Sequence, residues 1–124
     1  MITKTLGGIA LKKLINEAKK STNYDPVEEL TFLIDLTQNC VTAIVIGIKD
    51  NERKKITSAP QEMNFTYSSM SEIFFAELEK TLPEGAETKY LEMKIYTLEK
   101  SLCLIIYYVT KEGEKKKLEN KINY

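Results

Sequence analysis

The stretch Val41-Thr42-Ala43-Ile44-Val45-Ile46-Gly47-Ile48 is the most continuously apolar run in the chain. Its β-branched residues at positions 41, 42, 44, 45, 46 and 48 have stiff side-chain torsions that suit a pleated strand. Apolar side chains fall on both faces of the run, whereas a strand with one face in water alternates apolar and polar residues. It therefore reads as the central strand of a sheet, with something covering each face.

Working outward, residues 37–40 turn the chain, and a strand over 29–36 precedes the turn. Leu30, Phe32, Ile34 and Leu36 share one face of that strand; Thr31, Leu33 and Asp35 share the other. On the far side, Asp50-Asn51-Glu52 makes a second turn. Residues 53–58 read as a short edge strand, where Arg53-Lys54-Lys55 guards against pairing with other chains. The same three cations could form a small anion-binding patch. No aromatics are interleaved with them, so nucleic-acid binding is not expected. Leu33, Val41, Ala43 and Val45 are expected on a second apolar face that needs its own cover, from a partner or from a homodimer formed through the sheet.

The second half has a counterpart for each piece. A strand over 88–98 puts Leu91, Met93 and Ile95 on one face and Tyr90, Glu92, Lys94 and Tyr96 on the other. After the turn Glu99-Lys100-Ser101, residues 102–110 form a second run that is apolar on both faces. Lys111-Glu112-Gly113-Glu114 turns again, with the glycine supplying a positive φ. The tail alternates Leu118, Asn120, Ile122 and Tyr124 against Lys117, Glu119, Lys121 and Asn123, the pattern of a sixth strand.

Two stretches have the helical period instead. Over 4–20, Leu11, Leu14, Ile15 and Ala18 make an apolar stripe that Leu6 and Ala10 extend backwards, past the weak spot Gly7-Gly8. Over 70–82, Met70, Ile73, Phe74, Leu78, Thr81 and Leu82 make another. Ser69-Met70-Ser71-Glu72 ahead of it matches a capping box. Pro60 marks 59–67 as loop or extended chain. The order is helix, three strands, helix, three strands: two αβββ units without residue-level identity between them. It predicts a single α+β domain over 1–124, with a two-layer, mainly antiparallel curved sheet of five to six strands and both helices on one face.

At 124 residues the chain can bury roughly two-thirds of its unfolded surface, enough for a core without staples. Its apolar runs fall well short of the ~20 residues that span a bilayer, and its first residues make a poor signal peptide. A cytoplasmic location is expected, with no membrane partner. Cys40 and Cys103 read as small hydrophobes rather than a disulfide scaffold. The formal net charge is zero but unevenly spread: residues 1–24 carry five Lys and one Glu, 111–124 five Lys and three Glu, and the body between them is acidic. Such a body attracts a basic partner, unless its charges are simply solvated faces.

The sequence has no histidine, hence no imidazole base, histidine metal ligand or Ser-His pair. It shows no P-loop, dinucleotide fingerprint or nucleophile elbow, and no zinc-like cysteine spacing. No cofactor and no enzymatic activity are expected. The alternative, a small enzyme or ligand-binding domain, would draw on carboxylates such as Glu28, Glu29, Asp35 and Glu77. What remains is surface, and mixed tyrosine and charged surfaces suit protein–protein contact. The candidate partner-binding residues are Asp35, Glu77, Glu79, Glu84, Glu87, Tyr90, Glu92 and Tyr96.

In layout the chain resembles the small immunity proteins that bacteria make against their own polymorphic or contact-dependent toxins. The shared features are a short α+β chain without a catalytic signature, acidic Glu77, Glu79, Glu84 and Glu87, and tyrosine-bearing strands. The resemblance covers most of the chain as a layout. It implies a protein that binds a cognate toxin domain, often a nuclease, and blocks its active site. The basic first helix and tail depart from a uniformly acidic inhibitor. The layout is also similar to that of type III-like secretion chaperones, which dimerise around an unfolded effector and tend to be more acidic.

Overall fold

The six stretches with strand periodicity form strands and the two with helical periodicity form helices, and a seventh strand, of two residues, is added at 61–62 in the stretch read as loop or extended chain. The computed structural model describes the backbone of residues 4–124 and the side chains from Gly8 onward. The elements are α1 (Lys4–Thr22), β1 (Val27–Asp35), β2 (Cys40–Lys49), β3 (Glu52–Thr57), β4 (Gln61–Glu62), α2 (Phe65–Glu79), β5 (Glu87–Tyr96), β6 (Ser101–Val109) and β7 (Lys115–Asn123). All strands join one seven-stranded sheet in the order β3-β2-β1-β5-β6-β7, with the two-residue β4 pairing β2 off this path. Every neighbouring pair is antiparallel. The fold is α+β, as expected, and the alternating tail is a full edge strand.

The centre of the sheet lies elsewhere than expected. β1 and β5 pair with each other and occupy the middle, so β2 is flanked by β1 and the edge strand β3. β2 is the middle of its own meander, as β6 is of the second. Each of β2 and β6 thus holds the same place in its αβββ half, between an inner strand and an outer one.

Register also corrects the face assignment in β2. The turn after β1 pairs Asp35 with Cys40, which puts Ile34 opposite Val41, Phe32 opposite Ala43 and Leu30 opposite Val45. Val41, Ala43 and Val45 therefore share the face of Leu30, Phe32 and Ile34, not that of Leu33. Leu33 lies opposite Thr42, and Ile44, Ile46 and Ile48 complete its face. Tight hydrogen bonding fixes that turn: Asp35 Oδ1 accepts from the Thr37 and Gln38 amides and from the Thr37 hydroxyl.

Both helices pack on one face, making the second layer. Leu11, Leu14 and Ala18 of α1 and Met70, Phe74 and Phe75 of α2 meet Leu30, Phe32, Ile34, Val41, Val45, Leu91, Met93, Ile95, Leu102, Leu104 and Ile106 in one core. Leu6, expected to extend the α1 stripe, lies outside the described side chains. Phe75 is absent from the expected stripe of α2 yet is fully buried. α2 also starts earlier than the capping box implied. Its N-cap is Asn64, whose side-chain oxygen accepts from the Tyr67 amide at 3.0 Å, and Ser69 and Glu72 lie inside the helix. Asparagine is a favoured N-cap because its short side chain reaches back to the free amides of the first turn.

The α1–β1 connection crosses the sheet at Gly47. The Asp25 amide donates to Ile48 O and the Ile48 amide to Pro26 O, at 2.7 and 3.1 Å. A Cβ on Gly47 would sit 2.7 Å from both Pro26 O and Tyr24 Cβ, so only glycine admits this approach. Among the described residues, no helix is long and apolar enough to cross a membrane.

Candidate functional site

No described element covers the sheet face opposite the helices. Registers assemble it across six strands: Ile44, Ile46 and Ile48 of β2 beside Thr31 and Leu33 of β1, then Tyr90, Glu92, Lys94 and Tyr96 of β5, then Cys103, Ile105 and Tyr107 of β6, with the charged edges β3 and β7 outside. None of these side chains belongs to the core cluster. Leu33 and Tyr90 are 38% and 46% exposed. Ile44, Ile46, Ile48, Tyr96 and Tyr107 are half-buried, each leaning on its cross-strand neighbours.

The middle of this face is sunk. Thr31, Glu92, Cys103 and Ile105 are buried among taller neighbours. Burial of a carboxylate calls for partners, and Glu92 has two. Tyr107 donates its hydroxyl to Glu92 Oε1 at 2.8 Å, and Lys94 Nζ lies 3.5 Å from Oε2. The Glu92 bond, aided by burial, pushes the Tyr107 phenol up to about 12. Burial opposes the charged form of Lys94, but Glu92, Tyr96 and Glu29 outweigh it and raise the ammonium above its ordinary value. Burial raises the thiol of Cys103, which keeps it in its unreactive protonated form.

Two grooves meet at Tyr90 and Tyr107. One, of about 460 Å³, is lined by Leu33, Asp35, Gln38, Cys40, Thr42, Pro60 and Glu92 besides the two tyrosines. The other, of about 540 Å³, runs to the end of the sheet and adds Lys89, Lys115, Lys116, Lys117 and Tyr108. Register explains the junction: Tyr90 lies opposite Tyr107, and Tyr107 opposite Lys117.

The eight expected partner-binding residues separate. Asp35, Tyr90 and Glu92 line one groove, and Tyr96 stands on the same face at the other end of β5. The Asp35 carboxyl is held below its ordinary value, first by the Thr37 hydroxyl and then by the Gln38 and Thr37 amides, so its charge is committed to the turn. Glu77 and Glu79 are exposed on α2, in the other layer, with Lys80 3.2 Å from Glu77. Partial burial raises Glu79 above its ordinary value. Glu84 lies exposed in the connection after α2, and Glu87 opens β5 and pairs with Lys89 at 3.0 Å.

Tyr107 and the run Lys115-Lys116-Lys117 are absent from the expected set. Tyr107 reads in sequence as filler within an apolar strand, and the lysines as a solvated tail. The missing signal is pairing, since strand alternation places Tyr107 beside Tyr90 only once β5 and β6 are in register. Among the described residues, no three His, Cys, Asp or Glu side chains gather as a metal site. Comparison with known proteins gives no matching family model, curated protein or solved structure.

Proposed function

We propose that this chain is a non-catalytic module that binds another protein through the open face of its sheet, and that the partner is a toxin domain it neutralises. The observation that carries the reading is that face itself. Ile44, Ile46, Ile48, Leu33, Tyr90, Tyr96 and Tyr107 stand together outside the core, with no described element over them. An apolar patch rimmed by charge is the surface that a protein interface covers, and tyrosine is enriched at interface centres. Neutralisation follows from the immunity-protein layout together with a sequence that lacks histidine and nucleotide motifs.

The test is co-expression with the product of the adjacent reading frame. Growth protection and a one-to-one complex are the expected results, and Ile46→Lys should abolish both while the free protein stays folded. Binding that survives Ile46→Lys and Tyr90→Ala together overturns the assignment of this face. A mass of two copies in size exclusion, reduced to one by the same substitutions, would give the face to a homodimer instead.

A further inference from the structure

The groove at the end of β5–β6–β7 has a chemistry of its own. Its lining includes four lysines, Lys89, Lys115, Lys116 and Lys117, and three tyrosines, but no Asp or Glu. Lys89 and Lys116 are partly neutralised by Glu87 and Glu114, at 3.0 and 3.6 Å. Lys115 and Lys117 make no ion pair among the described residues, and both are exposed. Lys115 and Lys117 lie opposite Val109 and Tyr107 on the open face, whereas Lys116 lies opposite the core residue Tyr108 on the helix side, so it is the two unpaired open-face cations that make the potential beside Tyr107 positive.

We infer that this groove receives an acidic segment of the bound partner protein, so that the site pairs an apolar contact over the β2 isoleucines with a charge contact at the lysines. The inference rests on the protein-binding reading above. Continuity favours a peptide over a nucleic acid. The lysine groove opens at Tyr90 and Tyr107 into the groove that holds Asp35 and Glu92, and beyond it lies apolar surface. A phosphate chain following that course would carry a charge at every step past two carboxylates. A peptide can confine its Asp and Glu residues to the lysines and turn neutral or apolar beyond them. The partner contact is then opposite in sign to the one expected from the acidic body, because the acidic side chains of α2 lie in the other layer.

The site can be tested with three fluorescein-labelled probes on the full chain: a peptide of four glutamates followed by Leu-Phe, its glutamine counterpart, and a twelve-residue oligothymidylate. The glutamate peptide should bind saturably and weaken as salt is raised, and the glutamine peptide should not bind. Lys115→Glu with Lys117→Glu should weaken it by about tenfold or more, whereas Lys117→Arg should retain it and unchanged thermal melts should show that both variants fold. Tighter binding of the oligothymidylate than of the glutamate peptide, equal binding of the two peptides, or no binding of any probe overturns the inference. Its failure is separable from failure of the module reading. If Ile46→Lys abolishes neutralisation while the lysine reversals leave it intact, the face stands and the acidic segment falls. If the glutamate peptide binds but Ile46→Lys spares neutralisation, the groove stands and the face falls.

Discussion

The Tyr107 hydroxyl donates a 2.8 Å hydrogen bond to Glu92 Oε1 across the β5–β6 ladder, on the face that no helix covers. The bond holds a buried carboxylate in place and fixes the tyrosine ring at the junction of the two grooves. Tyr107→Phe should cost about 1–2 kcal/mol, because it leaves Glu92 with Lys94 alone; urea denaturation measures this. The sign of the pH effect follows from the shift. The folded phenol titrates at about 12, above its ordinary 10.0, so the bond contributes fully below pH 10 and its contribution is lost as pH rises through 12. Phenolate absorbance should show that Tyr107→Phe removes a late-titrating group, and loss of a group that titrates near 10 would contradict the bond.

Gly47 and Gly8 should respond to alanine in opposite directions. At Gly47 the new Cβ meets Pro26 O and Tyr24 Cβ at 2.7 Å, and the first of these is backbone that cannot swing aside. The expected loss is about 1–3 kcal/mol. Gly8 lies within α1 with nothing within 4 Å of the added atom, so Gly8→Ala should gain about 0.5–1 kcal/mol from helix propensity. Thermal melts of the two variants should bracket the parent protein.

The start of α2 can be located by capping substitutions. Asn64→Ala removes the acceptor for the Tyr67 amide and should cost about 1 kcal/mol. Ser69 sits within the helix, so Ser69→Ala should change stability by less than about 0.5 kcal/mol. The reverse ranking would restore the capping box at Ser69 and shorten the helix by a turn.

That misplacement shows where local pattern stops being informative. A capping box is a short-range motif, and Ser69 with Glu72 satisfies it on paper. Asn64 is the residue that sits where the chain leaves β4, however, and the burial of Met70, Phe74 and Phe75 against the sheet fixes the helix axis. Strand alternation, by contrast, grouped Leu30, Phe32, Ile34 and Leu36 on one face and Leu91, Met93 and Ile95 on another, because each strand reports its own two faces; all of these are buried in the core except Leu36, which lies past the end of β1 and is 39% exposed. It could not report which face of β2 matches which face of β1. That depends on one turn pairing Asp35 with Cys40, and a slip of one residue exchanges the two sets. The grooves depend on the same non-local information. Tyr90, Tyr107 and Lys117 are far apart in sequence and become neighbours only through two registers.

Neighbouring residues of β2 provide the sharpest check on both the register and the proposed interface. Val45 is 6% exposed, opposite Leu30 and Ile56 on the helix-covered face. Val45→Lys would place an unpaired ammonium in the core and should cost about 3 kcal/mol or more, enough to unfold a marginal domain. Ile46 points the other way, opposite Glu29 and Lys55, and is half-buried on the open face. Its lysine variant can extend its ammonium towards water and the Glu29 carboxylate, so Ile46→Lys should stay within about 1 kcal/mol of the parent. Denaturation of the free proteins should therefore separate the two substitutions strongly, and partner binding should then be lost in the stable one. A destabilised Ile46→Lys protein would mean that the open face is held by contacts within the chain rather than left for a partner.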